Sequence, residues 1–317
     1  MADAIRETQP HVDVILPTHC GLAWVDEAIG SVLEQTHESL SLIAIDDASD
    51  DGTFAHVCER WSHDPRVTAL ALETSQRAAG ARMQALEAGD GEWLAFIDQD
   101  DRWRPEKLAR QLQRAATEPR ADAVHTDCTH IAADGSPRPG SARRENAARA
   151  RIDWDGLEGE ALARLCFRAN RIRLGSALVR RTAFEAMGGF DAALFGGEDW
   201  DFWVRFACAG QRIAHLAEPL LERRIHPQAT STLRRVERIE GLYRACDLAA
   251  AREPFLAADV AGRVEALLRR ELESVGGAAV RARLRERGES LARGTRAWLK
   301  LLSFAVSLLP RGAQHQS

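Results

Sequence analysis

The residues best placed to do chemistry in this 317-residue sequence are Asp98, Gln99 and Asp100. They close an apolar run, 93–97, that reads as a buried strand. Two carboxylates one residue apart at a strand end can approach one divalent cation. Mg2+ and Mn2+ take a few carboxylate oxygens together with water and phosphate oxygens. A cation there would bridge a diphosphate and stabilise its charge as it leaves. Alone the triplet is a weak signal, because acidic turns after strands are common and a solvated turn is the better explanation of it.

A second acidic cluster, Asp46-Asp47-Ala48-Ser49-Asp50-Asp51-Gly52, follows another apolar run at 40–45. Asp50 or Asp51 would cap the helix that begins after Gly52. Asp47 is left for a nucleobase N–H or ribose hydroxyls. Paired aspartates after a strand also suit phosphate-receiving signalling domains, so this motif is ambiguous by itself. Further on, Glu198-Asp199-Trp200-Asp201 opens a helix behind Gly196-Gly197. The helix dipole favours carboxylates at that end. The functional alternative is a general base for an acceptor hydroxyl. Arg77 and Arg82 flank Gly80 and could reach a diphosphate or base, or lie on the surface. His226, before Pro227, could ligate a metal or phosphate or be structural.

These side chains need elements to position them. Apolar runs at 12–16, 40–45, 67–72, 93–97 and 123–131 alternate with helical spacing at 25–33, 54–61, 79–88 and 105–117. Alternation of this kind predicts an α/β fold: a mostly parallel sheet with helices on both faces. Ligands of such sheets bind outside the carboxyl ends of the strands. Pro17-Thr18, Asp46-Asp47 and Asp98 to Asp101 each follow a strand, so they should share one edge. Residues 136–151 carry five arginines with Pro, Gly and Ser and read as a mobile loop. A helix near 157–167, a strand at 177–179, a helix at 182–187 and the helix from Asp199 to Cys208 follow.

Order, rather than any one motif, carries a family resemblance. Residues 12–18 and 45–53, then Gly91 to Asp101 with Trp103 and Pro105-Glu106-Lys107-Leu108, resemble family 2 glycosyltransferases. Gly188-Gly189-Phe190-Asp191, Glu198-Asp199-Trp200-Asp201 and Arg205 are similar to that family's acceptor-side motif. The resemblance spans roughly residues 11 to 232. It implies a GT-A type nucleotide-diphospho-sugar transferase fold, a nucleotide-diphospho-sugar donor (a UDP-sugar above all), a divalent metal (Mn2+ or Mg2+) and inversion at the anomeric carbon. By position, Pro17, Thr18 and His19 would line the nucleoside pocket and Asp47 would contact the base. Asp100 would ligate the metal, with Asp98 supporting the diphosphate or ribose and joining Asp100 and His226 as a candidate metal ligand. Asp199 would be the base, and Glu198 would position the acceptor or the base; Arg77, Arg82 and His226 are weaker transfers. His19-Cys20 stands where the family commonly has Tyr-Asn, and Met83 where it often has Asn. The Gln-x-x-Arg-Trp signature of processive members is missing, which favours transfer of a single sugar to a glycan or lipid-linked acceptor in cell-surface polysaccharide or glycoconjugate synthesis. A nucleotidyltransferase would need a basic glycine-rich loop after the first strand; Pro17-Thr18-His19-Cys20-Gly21 has one glycine and no Lys or Arg. A non-catalytic nucleotide- or carbohydrate-binding module is the other alternative, and the retained Asp98, Asp100 and Asp199 weigh against it.

Bulk properties set the remaining expectations. A content of 45% hydrophobic and 28% charged residues suits a globular chain. The net charge of −5 is uneven: from Leu233 onward 16 Lys and Arg face 10 Asp and Glu, leaving −11 on the preceding 232 residues. We therefore expect a glycosyltransferase domain over 1–230 and a helical C-terminal region over 231–317, and no nucleic-acid partner. Six cysteines without a C-x-x-C pair suit a reducing cytosol rather than a zinc ribbon. No signal peptide and no run of 18 apolar residues is evident. The basic, apolar stretch 295–310 suggests either peripheral contact with the inner face of a membrane or, preferably, a terminal helix on the body or on a second subunit of a homo-oligomer.

Overall fold

The first strand, β1 (Val12–Thr18), is buried along its whole length, as a strand covered on both faces must be. In this computed structural model, which describes residues 9–229, 235–260, 262, 263, 266 and 267, β1 pairs in parallel with β2 (Leu40–Asp46) and with β4 (Trp93–Phe96). β2 pairs in parallel with β3 (Val67–Ala71). The eight-stranded sheet runs β3-β2-β1-β4-β7-β6-β8-β5. Beyond β4 the directions mix. β7 (Ala177–Arg180) is antiparallel to both β4 and β6 (Ala123–Ile131). β8 (Ile213–Arg224) is parallel to β6, and the two-residue β5 (Arg102–Trp103) is antiparallel to β8.

Alternation along the strands sends side chains to two cores. Val12, Val14 and Leu16 of β1 join one core, with α1 (Val25–Leu33), Val57 of α2 (Thr53–Trp61), and Leu108 and Ala115 of α4 (Lys107–Thr117). Ile15 of β1, with Leu94 and Phe96 of β4, faces the other. That side holds α3 (Arg77–Ala85), α6 (Gly159–Arg168), α7 (Arg181–Ala186) and α8 (Glu198–Cys208). Leu242, Tyr243, Cys246 and Ala249 of α9 (Arg235–Arg252) belong to the same core and pack against α8. Helices thus cover both faces of the sheet. The terminal stretch 295–310 lies outside the described residues. Among those residues no helix is long and apolar enough to cross a membrane.

The expectation of a mobile loop over 136–151 is corrected. Residues Arg143–Ala150 form helix α5. Its anchor is Arg149, whose side chain is 1% exposed. Arg149 donates to Glu145, Asn146 and the Arg171 carbonyl. Two of these partners lie one helical turn away, but the Arg171 carbonyl and Asp127, which bury the guanidinium, are 22 residues away in either direction, and composition alone suggests a solvated loop. β8 is hard to read in the sequence, because Pro219 and four charges interrupt its pattern. Pro219 is accommodated where the β6–β8 register shifts beside Asp127, the kind of irregularity that tolerates proline.

Glu145 gives this region a pH signature. Burial pushes its carboxyl up, but Arg173 and Arg149 outweigh that and hold it at about 2, below the usual 4.5. A carboxyl depressed by folding stabilises above its unfolded pKa and loses that contribution as pH falls through the folded one. Glu145→Gln is therefore expected to cost roughly 2 kcal/mol at pH 7, after allowance for partial exposure. Urea denaturation should show the two proteins converging as pH drops from 4.5 towards 2. A deficit that stays constant over that window would contradict the assignment.

Candidate functional site

Parallel register brings three turns, two of them acidic, to one edge. Thr18 at the end of β1 lies opposite Asp46 at the end of β2. Ile15 lies opposite Phe96, and the Ile97 N–H donates to the Ile15 carbonyl, so Asp98 emerges beside Pro17. The convergence expected of Pro17-Thr18, Asp46-Asp47 and Asp98 to Asp101 is what the structure shows.

Side chains stitch these turns together. The Thr18 hydroxyl donates to Asp46, which also accepts from the Ser49 N–H and hydroxyl. Asp46 is thus a turn-former, as is Asp51, which accepts from the N–H and hydroxyl of Thr53. Asp47 is 4% exposed, and its carboxylate accepts from the Ser75 hydroxyl at 2.7 Å and the Gln76 N–H at 2.6 Å. It thereby fixes the entry to α3. His19 is exposed and bonds through Nδ1 to the Asp47 carbonyl at 2.9 Å. Gln99 bridges the first and third turns: it accepts from the His19 N–H at 2.7 Å and donates to the His19 carbonyl at 3.0 Å. A Cβ on Gly21 would lie 2.4 Å from the Gln99 Oε1. Gly21→Ala is therefore expected to break the bridge and weaken nucleotide affinity about tenfold, the equivalent of one lost pair of hydrogen bonds. Titration with uridine diphosphate checks it; unchanged affinity would show that the bridge does not shape the pocket.

Asp98 and Asp100 point to different partners. Asp98, half-exposed, accepts from Arg82 Nη2 at 2.7 Å. Asp100 Oδ2 lies 2.7 Å from His226 Nε2. Burial and the neighbouring Asp98 charge push the Asp100 carboxyl up. His226 is 3% exposed and packs at 4.1 Å against the Trp24 ring. Arg224 completes the turn: its N–H donates to Asp101, and its guanidinium donates to the carbonyls of Asp100, Ala132 and Ala133 and to Glu27. The donor types, two carboxylates and one imidazole, suit a divalent cation, which would relieve the mutual repulsion of the two aspartates. Their donor atoms are not gathered here: Asp98 turns to Arg82 and Asp100 to His226, and among the described residues only Cys128, His130 and Glu145 bring three donor atoms within 4.8 Å of one another.

On the other side of Arg82 stands the second acidic motif. Arg82 is buried, and its Nη1 donates to Glu198 Oε1 at 3.3 Å while Nη2 holds Asp98. Glu198 Oε2 is buried without a hydrogen-bond partner. Burial and the Asp199 charge push the Glu198 carboxyl up, against the pull of Arg82. Asp199 accepts from its neighbour's N–H, Trp200, at 2.7 Å and from Asn170 Nδ2 at 2.8 Å. A single guanidinium therefore joins the Asp98 turn to the start of α8, where Asp199 sits. Arg77 stands apart, with its guanidinium over the Phe195 ring at 5.0 Å. Asn170, Ser75, Trp24 and Arg224 belong to the site and escaped the sequence reading; none lies in a recognisable motif. Met83, in the place where Asn is common, accepts from the Phe190 N–H through its sulfur and packs where a Gly189 side chain would be.

The family model described as glycosyl transferase family 2 matches residues 13–187. The chain belongs to that family. Among its relatives are a putative teichuronic acid biosynthesis glycosyltransferase of Bacillus subtilis, 37% identical over 33% of this chain and 42% of the relative, and a UDP-Glc:alpha-D-GlcNAc-diphosphoundecaprenol beta-1,3-glucosyltransferase of Escherichia coli, 38% identical over 32% and 39%. The matched segment thus spans about two-fifths of the length of these curated relatives. Among solved structures, S. aureus TarS in complex with UDP-GlcNAc superposes with a TM-score of 0.63 at 17% identity, covering 96% of this chain and 82% of TarS. A mannosyltransferase from Pyrobaculum calidifontis in complex with GDP-Man and Mn2+ gives 0.60 at 21% identity, with 95% and 86% covered. The fold is that of the GT-A glycosyltransferases.

Proposed function

We propose that this family 2 protein transfers a single sugar, with inversion, from a nucleotide-diphospho-sugar to an acceptor hydroxyl. The reading takes a UDP-sugar as donor and a glycan or lipid-linked acceptor in cell-surface polysaccharide or glycoconjugate synthesis. The observation that carries it is the Asp98–Arg82–Glu198 link. It sets a diphosphate-type carboxylate turn and a candidate base, Asp199, on either side of one buried cation.

In this reading Pro17, Thr18 and His19 line the nucleoside pocket, and Asp47 stands behind it as a base contact. Arg77, exposed at the start of α3, would reach the diphosphate only by leaving the Phe195 ring. Asp100, Asp98 and His226 would hold Mn2+ or Mg2+, which when bound supplies positive charge to the departing diphosphate. Asp199, oriented by Asn170, takes the proton from the acceptor hydroxyl. Inversion follows if that oxygen approaches opposite the diphosphate. Glu198, locked by Arg82, fixes the first turn of α8 and so the placement of Asp199. The division into a transferase domain over 1–230 and a helical region over 231–317 is part of the same proposal, with α9 as the first helix of that region.

The test is a panel of nucleotide-sugars assayed with Mn2+ and with a chelator, following both thermal shift and release of the nucleotide diphosphate. One or more UDP-sugars should raise the melting temperature and turn over only with metal. Metal-dependent binding without turnover on any acceptor would instead indicate a binding module.

A further inference from the structure

Three chain segments set two arginines and a histidine in one row. His130 of β6 is the cross-strand partner of Arg223 of β8. On its other side, the Arg138 N–H donates to the His130 carbonyl at 2.8 Å, in a short antiparallel bridge centred on Ile131 and Pro137. Directly paired residues project to the same face of a sheet. Arg138, His130 and Arg223 therefore stand side by side, on the face opposite Arg224 and Glu222. Arg173 and Glu145 cover that face, with Arg173 Nε donating to Glu145 at 2.8 Å and Arg149 donating to the same oxygen.

The charge there is unbalanced. Four guanidinium groups, of Arg138, Arg149, Arg173 and Arg223, have two carboxylates, Glu145 and Asp127, in ion-pair reach, while Asp199 acts on Arg173 and Asp101 on Arg223 without an ion pair. Neither Arg138 nor Arg223 makes a side-chain hydrogen bond or ion pair among the described residues. The His130 Nε2 is buried, has no hydrogen-bond partner and lies 3.9 Å from Glu145. An imidazole nitrogen left unsatisfied between guanidinium groups is a costly arrangement unless a ligand completes it. The donor atoms of Cys128, His130 and Glu145 lie within 4.8 Å of one another, which is also metal-like spacing. Glu145, however, is already shared by two arginines, and a cation would add to a positive surplus. An anion removes it.

The row adjoins the reaction edge. One residue beyond Arg223, the Arg224 N–H holds Asp101, and His226 meets Asp100. Three residues before Arg173, Asn170 holds the candidate base Asp199. We propose that Arg138, His130, Arg173 and Arg223 form a subsite for a phosphate or diphosphate group carried by the acceptor. Bound there, the anion anchors the acceptor while its hydroxyl extends to Asp199. This rests on the transferase reading above, and the experiment separates the two.

The full-length chain is titrated calorimetrically in EDTA with farnesyl diphosphate, farnesol and inorganic pyrophosphate, and separately with uridine diphosphate plus Mn2+. Farnesyl diphosphate should bind and farnesol should not. Arg138→Gln/Arg223→Gln should weaken that binding at least about tenfold, the loss expected for charge-assisted hydrogen bonds, and Arg138→Lys/Arg223→Lys should retain it. Pyrophosphate binding as tightly as farnesyl diphosphate identifies the anion alone as the recognised group; binding of farnesyl diphosphate only identifies a lipid carrier as its source. Equal affinity in the wild type and the glutamine variant, or no anion binding at all, overturns the subsite. Arginine-dependent anion binding in a chain that binds no nucleotide with Mn2+ would leave an anion site and remove the transferase reading.

Discussion

Asp199→Asn is expected to lower the transfer rate by about 10²- to 10⁴-fold, the usual contribution of a general base, and to leave nucleotide affinity unchanged. The substitution keeps the size and the helix-start position of the side chain. Its amide can still accept from the Trp200 N–H, and a rotation lets it face Asn170. What it loses is the ability to take a proton. A stabilising carboxylate at a helix N-terminus contributes only about 0.5 kcal/mol at an exposed position. The melting temperature should therefore move little while the rate collapses. Initial rates of sugar transfer, with nucleotide titrations on the same preparation, check both halves. Transfer at the native rate would assign the base elsewhere. A large drop in melting temperature with a proportionate loss of both binding and rate would instead make Asp199 a structural cap.

Asn170 shows why such a site is only partly legible in sequence. The motifs that could be read are local: a strand end followed by acidic residues, or glycines followed by a helix start. Each is written within a dozen positions, and parallel pairing then forces the first three to one edge. The partners that orient them come from elsewhere. Asn170 reaches Asp199 across 29 residues, His226 reaches Asp100 across 126, and Arg224 reaches Glu27 across 197. Spacing along the chain cannot announce contacts that depend on how β8 is laid beside β6. The same cause hid α5: an arginine-rich segment looks solvated until Arg149 is seen to have Asp127, Glu145 and the Arg171 carbonyl around it. It also hid the reversal of direction at β7, since a four-residue apolar strand carries no sign of its orientation.

The sequence offers Arg82 as a ligand contact; its larger role follows from its burial. Arg82→Met is expected to cost about 3 kcal/mol of stability, because it removes the partner of a buried charge while leaving the charge behind. Glu198 is the group left behind: one of its oxygens is already buried without a hydrogen-bond partner among the described residues, and the other would lose the Arg82 guanidinium. Burial and Asp199 push its carboxyl up, and Arg82 is what opposes them. In the variant that carboxyl should rise further above its unfolded value. A carboxyl raised by folding stabilises at low pH and loses that contribution as pH rises through the folded value. The deficit of Arg82→Met relative to the wild type should therefore widen between pH 5 and pH 8, as followed by urea denaturation. Adding Glu198→Gln removes the stranded charge and should recover part of the loss, a coupling that a double-mutant cycle isolates. The recovery should not extend to sugar transfer, because the double variant still lacks the cation that joins Asp98 to the first turn of α8. Restored stability with restored transfer would make Arg82 a neutraliser of Glu198 only. Restored stability with transfer still absent separates the two roles, and places the alignment of donor and base on this guanidinium.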